Sequence, residues 1–233
     1  MRIVGFLESS LVDWDGHVAP VIFVGGCNFS CPFCHNSKVA RDDAELAAMP
    51  WHVVTHKLAE RPGWYDCVCV TGGEPLLHPE LNAMLRGLKR RKLKVKLDTN
   101  GSFPYRLKSI LEHKLCDYVA MDVKSCLERY SAACGHPVEP AVIRRSVRIL
   151  MESGANYEFR CTAVPGLVTL ADIPLIGELV KGARRFYFQQ FIPQEAASPA
   201  LRDRKPYTAE QIQEFVSALA PYVQEIRLRG KFL

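Results

Sequence analysis

The sequence predicts an α/β fold: parallel strands with outer helices, closed wholly or partly into a (β/α)6-type barrel. Three observations predict it. Short β-branched or aromatic runs alternate with helical patterns along the 233 residues, the signature of βαβ units and a parallel sheet. No internal repeat, low-complexity tract or Gly/Ser linker divides the chain, so one domain spanning 1–233 is expected. The unusual polar motifs all follow predicted strands, where α/β barrels gather their chemistry.

The elements follow in order. The run "VIFV" (21–24) leads into a cysteine-bearing loop, "GGCNFSCPFCHN". "CVCV" (67–70) leads into "TGGEP" and a helix from about Pro79, with Leu81, Met84, Leu85 and Leu88 on one face. "KVKLD" (94–98) precedes "TNG" and a helix near 105–114. "DYVAMDV" (117–123) precedes a helix from about Pro140 to Ser153, ended by Gly154. "YEFRCTAV" (157–164) precedes "PG" and the "DIPLIGELV" helix, and "RFYFQQF" (185–191) a helix at 208–220. Thr208 and Gln211 form that last helix's expected capping box. "VQEIRLR" closes the chain as a final strand.

Composition narrows the function classes. With 48% hydrophobic and 24% charged residues the chain has an ordinary globular core. The net charge of +5 is spread thinly apart from "RGLKRRKLKVK" at 86–96. That run reads as the solvated face and basic end of a helix, so no nucleic-acid partner is expected. No window approaches the roughly 18 apolar residues of a membrane span. The opening "MRIVGFLESSLVDWDG" lacks a basic segment feeding an apolar one, so no secretory leader is expected. Nine cysteines in a chain without a leader predict reduced thiols in a cytoplasm, and hence metal or redox chemistry.

Cys27, Cys31 and Cys34 carry most of that expectation. Inert buried thiols fit poorly, because three stand close together on a polar loop. Structural zinc wants four ligands; no second CxxC lies downstream, and "CVC" at 67–69 is on a predicted strand. A C-P-x-C dithiol leaves Cys27 unexplained. An iron–sulfur cluster held by thiolates would have one iron without a protein ligand, an open position of the kind where metal centres react.

"CNFSCPFC" has the CxxxCxxC spacing of the radical S-adenosylmethionine (SAM) superfamily, and the chain resembles that family over most of its length, from about residue 2 to about 193. "GGEP", "DTNG" and "MDVK" follow successive strands in the family's order. The resemblance implies a full or partial TIM-type barrel. "CHN", "LDTNG", "MDVK" and "VPG" look like the activating enzymes of glycyl radical enzymes, with those of anaerobic ribonucleotide reductase nearest and that of pyruvate formate-lyase a relative.

By this resemblance Cys27, Cys31 and Cys34 hold a [4Fe–4S] cluster, and SAM binds its open iron. Gly72 and Gly73 let backbone approach SAM, and Glu74 offers charge to its ammonium. Asp98, Thr99, Asp122 and Val123 match a Na+ or K+ site beside the methionyl carboxylate. Two carboxylates at one barrel mouth repel unless a cation or proton intervenes; the alternative is strand-end capping. Lys124 and Arg160 match residues near the ligand, and Arg160, within an apolar strand, needs a partner. Asn36 either orients the ribose or adenine or caps a helix. "QQFIPQ" lacks the relative's ligand-binding histidine, so Gln190 or Gln189 is the substitute. Cys67, Cys69, Cys116, Cys126, Cys134 and Cys161 match no ligand position. The implied partners are a glycyl radical enzyme and an electron donor such as flavodoxin or ferredoxin. Action on a small molecule or peptide is the alternative, and a zinc- or cluster-bearing binding module a further one.

Overall fold

The computed structural model describes residues 1–60 and 63–232. Among them, eight strands form one sheet in simple sequence order: β1 (Ile3–Ser10), β2 (Ala19–Val24), β3 (Cys67–Gly72), β4 (Lys94–Thr99), β5 (Tyr118–Asp122), β6 (Asn156–Ala163), β7 (Phe186–Gln190) and β8 (Ile226–Arg229). β1 runs antiparallel to β2, and every later pair is parallel. The order ends at β1 and β8 without joining them, so the barrel is partial. The parallel strands β2 to β7 are each followed by helix, which is the expected (β/α)6 core; β1 and β8 extend it at its two edges.

The helices are α1 (Ser37–Ala40), α2 (Trp51–Ala59), α3 (Leu81–Arg90), α4 (Pro104–Glu112), α5 (Tyr130–Cys134), α6 (Pro140–Glu152), α7 (Ile173–Leu179) and α8 (Ala209–Leu219). α3 buries the predicted face, Leu81, Met84, Leu85 and Leu88. α8 opens on the expected capping box, with Thr208 and Gln211 bonding each other's backbone. The same period-two and period-3.6 logic builds the main core. Val95 and Leu97 of β4, Val119 and Met121 of β5, and Phe186 and Phe188 of β7 turn outward to meet the helices.

The opposite faces of those strands line the lumen, and they are polar: Lys96 and Asp98, Glu158 and Arg160, Tyr187 and Gln189. Full barrels fill this space with layers of branched apolar side chains. Here the loop 11–18 between β1 and β2 folds in from the N-terminal ends of the strands instead. Trp14 is buried against Ala19, Val21, Cys67, Cys69 and Tyr118. The Asp13 carbonyl accepts from Lys96 Nζ at 2.6 Å, and Asp15 accepts from the Tyr187 hydroxyl at 2.6 Å.

β1 and α2 are absent from the sequence-based order of elements. β1 is an edge strand whose burial runs unevenly along "IVGFLESS", so it lacks the alternation that marks a strand. α2 buries only Val54 and Leu58, too few for a helical stripe.

Candidate active site

The C-terminal strand ends converge, as the motif order predicts. The loops after β2, β3, β4, β5 and β7, with the end of β6, surround a cavity of about 430 Å³. Its wall includes Cys27, Cys31, Cys34, Asn36, Gly72 and Gly73, and it continues over Asp98, Thr99, Asp122, Lys124 and Arg160. Residues scattered from 27 to 160 in sequence therefore meet in one place.

Loop packing explains the glycine pair. Gly73 N donates to Val24 O at 2.9 Å, and Glu74 N to Gly26 O at 2.8 Å. A Cβ on Gly73 would stand 2.0 Å from Gly26 O, and one on Gly72, with φ +127°, 2.2 Å from Val24 O. Both contacts are with backbone, which cannot swing aside. The glycines thus seat the loop after β3 directly under the start of the cysteine loop.

Glu74 departs from its expected role. It does not line the cavity and is fully buried. Its carboxylate accepts from Leu76 N at 2.9 Å, Thr99 Oγ1 at 2.8 Å and Asn100 N at 2.6 Å. It braces the loop after β3 to the loop after β4. Burial lifts its carboxyl to about 7, although those three donors pull the other way.

The cysteine loop is held from several sides. Gly26 N donates to Val39 O, Ser30 N to Cys134 O, and Ser198 N to Pro32 O. All nine cysteines are free thiols. Cys27 Sγ accepts from Phe29 N at 3.4 Å and from Asn100 Nδ2 at 3.8 Å. Burial pushes the Cys27 thiol up to about 11 and raises Cys34 as well. Cys31 goes the other way, chiefly because the Cys134 side chain hydrogen-bonds to it, and Cys134 is raised in turn.

Beyond the cysteines, charge is arranged as a ladder. Arg160 Nε lies 2.9 Å from Asp122 Oδ1, and Arg160 Nη1 lies 3.0 Å from Asp98 Oδ2. Lys96 takes the other Asp98 oxygen at 3.0 Å, and Lys124 the other Asp122 oxygen at 2.7 Å. The two carboxylates therefore do not repel across an empty gap. A guanidinium sits between them, and this protein cation meets the charge that would draw Na+ or K+. Val123, grouped with them by sequence, is buried, and its N–H donates to Arg160 O at 2.7 Å. Burial pushes the Asp98 carboxyl up, but Arg160 and Lys96 outweigh it and hold it down at about 2. Below, Glu158 continues the ladder to Lys96 at 3.9 Å and Arg229 at 3.4 Å.

Two expectations need adjusting for side-chain direction. Gln189, not Gln190, lines the cavity. Gln190 shares the parity of Phe186 and Phe188, which face the helices; its Nε2 donates to Phe191 O at 3.3 Å, and its buried Oε1 has no partner among the described residues. Asn36 does sit at the N-cap position of α1 but makes no side-chain capping bond, and it lines the cavity.

Sequence reasoning passed over several neighbours. Asn100, within the quoted "DTNG", donates to Asn28 Oδ1 at 3.0 Å, and Ser102 Oγ donates to Asn100 Oδ1 at 2.6 Å. Asn28 lies inside "CNFSC", so both motifs held the signal. Phe29, Phe33 and His35 join the wall; His35 Nδ1 lies 3.4 Å from Glu195 Oε2, and the Lys124 ammonium lies 5.8 Å from the Phe33 ring centre. Cys134, buried beside Cys31, had no sequence signal at all.

Comparison with known proteins is decisive for the family. The sequence profile of the Radical SAM superfamily matches residues 21–172. This chain belongs to the radical SAM superfamily. It is 26% identical over 235 residues, covering 97% of this chain and 95% of the relative, to a Methanocaldococcus jannaschii protein provisionally named a glycyl-radical enzyme activating enzyme. It is 28% identical over 90% of its length to 88% of the 7-carboxy-7-deazaguanine synthase of Chlorobaculum tepidum. Among solved structures, Streptococcus suis SuiB bound to its precursor peptide SuiA superposes with TM-score 0.63 at 12% identity, over 90% of this chain and 48% of SuiB. The tagged protein anSMEcpe with bound AdoMet gives TM-score 0.55 at 18% identity, over 84% of this chain and 56% of that one. This radical SAM chain spans about half the length of those solved chains, and the likeness to them is one of fold. Radical SAM enzymes use a [4Fe–4S] cluster and SAM. Among the described residues, no helix is long and apolar enough to cross a membrane.

Proposed function

We propose that this radical SAM enzyme holds a [4Fe–4S] cluster on Cys27, Cys31 and Cys34 and takes a hydrogen atom from a glycine of a partner glycyl radical enzyme, of the anaerobic ribonucleotide reductase type. The observation that carries the reading is the cavity wall: three free thiols on one loop, facing the Asp122–Lys124–Arg160 cluster at the opposite strand ends. The donor set fits the group. Thiolates are the ligands such clusters take, and N–H donors from Phe29 and Asn100 already point at Cys27 Sγ.

When bound and reduced, the cluster would supply one electron to the SAM sulfonium, the chemistry that splits SAM into methionine and a 5′-deoxyadenosyl radical. The chain's residues handle the rest. Lys124 and Arg160 present positive charge to the methionyl carboxylate, and Asp122 keeps both oriented. Gly72 and Gly73 leave their stretch of wall bare. Phe29 and Phe33 keep water away from the thiols, which a radical site requires. Asn36 and Gln189 offer hydrogen bonds to ribose or adenine. The electron arrives from a small donor such as flavodoxin or ferredoxin.

The test is reductive cleavage by anaerobically reconstituted protein. Formation of 5′-deoxyadenosine should fall to background in Cys34→Ala; cleavage that persists unchanged overturns the mechanism. The partner is identified by which glycyl radical enzyme gains a glycyl EPR doublet when mixed with reduced enzyme and SAM. Similarity to 7-carboxy-7-deazaguanine synthase over most of the chain supports a second reading, action on a small heterocycle. Turnover of such a substrate with no doublet in any glycyl radical partner would favour it.

A further inference from the structure

We infer that His17, Asp66 and Cys67 form a binding site for a zinc-type divalent cation at the N-terminal end of the barrel. The inference stands apart from the radical chemistry: Cys67 begins β3 and Gly72 ends it, which places the two sites about 16 Å apart along the strand.

The donors come from two segments that meet only in the fold. His17 is on the loop that enters the lumen from below, and Asp66 immediately precedes Cys67, the first residue of β3. His17 Nδ1, a carboxylate oxygen of Asp66 and Cys67 Sγ all lie within 4.8 Å of one another. The His17–Asp66 separation is 3.6 Å. Ligands held at about 2.0–2.3 Å around tetrahedral zinc stand roughly 3.4–3.8 Å apart, so small side-chain rotations close the set.

Each donor is already placed. The His17 backbone N–H donates to Trp14 O at 3.0 Å, and its ring packs 4.8 Å from the buried Trp14 ring. Cys67 is fully buried; its thiol reaches Val18 O only at 4.0 Å and also hydrogen-bonds the Asp66 side chain. Lys94 engages Asp66 through Oδ2, which leaves Oδ1 turned towards His17.

Donor chemistry selects the ion. Thiolate, imidazole and carboxylate together suit zinc, whereas calcium and magnesium prefer oxygen alone. The thiolate and carboxylate charges offset a dication. Asp66 is exposed and a neighbouring cleft of about 500 Å³ runs past His17 and Lys94, so an ion can reach the donors from the Asp66 and His17 sides. Bound there, the ion ties the entering loop to β3. That loop carries Asp13, which receives Lys96 and also lines the cavity above.

The three loop cysteines would compete for a thiophilic ion, so the test uses metal-free protein carrying Cys27→Ser, Cys31→Ser and Cys34→Ser. Titration with Co2+ should give one equivalent bound, with tetrahedral d–d bands and a thiolate-to-cobalt charge-transfer band that Zn2+ displaces. Cys67→Ser should remove the charge-transfer band. His17→Ala and Asp66→Asn, changes at less buried positions, should each weaken binding about tenfold or more with the far-UV CD unchanged. Absence of a stoichiometric site in the triple variant overturns the inference, as does binding that His17→Ala and Asp66→Asn leave unaltered.

Discussion

Arg160→Met removes one charge from the buried ladder and leaves a side chain of similar reach. Two contacts disappear, Nε to Asp122 at 2.9 Å and Nη1 to Asp98 at 3.0 Å. Losing one member of a buried charge network costs about 3–5 kcal/mol. Lys96 and Lys124 remain on the outer oxygens, so the lower end, about 3 kcal/mol at neutral pH, is expected. The pH dependence gives an independent magnitude. Asp98 sits at about 2 in the fold against an ordinary 3.8, a gap worth about 2 kcal/mol at 1.36 kcal/mol per pH unit. Because the folded value is depressed, that stability is fully present above pH 3.8 and is lost as pH falls through about 2. Without Arg160, burial acts on Asp98 against Lys96 and the Thr71 hydroxyl, and the acid limb moves to higher pH. Urea denaturation of cluster-free protein, followed by far-UV CD from pH 2 to 7, reads both effects. A variant within about 1 kcal/mol of the parent at pH 7, with the same acid limb, would refute the ladder as a stabilising network.

Three further outcomes follow from contacts already described. Gly73→Ala forces a Cβ against Gly26 O; iron and sulfide per chain after reconstitution should collapse, together with a clear drop in Tm. Glu74→Ala strands the buried N–H groups of Leu76 and Asn100; at about 1–3 kcal/mol per orphaned donor, denaturation should show a loss of about 2–6 kcal/mol. Thr208→Ala removes the α8 cap, costing about 1 kcal/mol while leaving 5′-deoxyadenosine formation unchanged, since α8 is remote from the cavity wall.

The parallel strands were legible because "CVCV", "KVKLD" and "DYVAMDV" pair β-rich runs with turn residues, and their order placed the strand-end motifs around one mouth. Local pattern stops at contacts made by folding. Gln190 and Gln189 differ only by strand parity, which the run "FYFQQ" does not reveal until Phe186 and Phe188 are seen to face the helices. Glu74 reads as a free charge because nothing local shows that Asn100 N and Thr99 will capture it. Lys96 and Glu158 sit in runs that otherwise look like core strand, and only the lumen makes them partners. Cys134 reaches Cys31 through the packing of α5 on the cysteine loop, and no spacing rule connects them.

Among the described residues β8, like β1, leaves a ladder edge of the sheet unpaired, and such an edge is a template on which another chain can add a strand. Arg227 and Arg229 alternate along it, and both turn to Asp15 on the entering loop, at 3.3 and 3.2 Å. Arg227 is also held by Glu225 at 2.6 Å and Arg229 by Glu158 at 3.4 Å, so the edge strand's two arginines are spent inside the molecule. The residues that pin the loop under the lumen therefore also fix β8 in place, and the last strand of the open barrel is fastened to its first loop by charge rather than by a ninth strand.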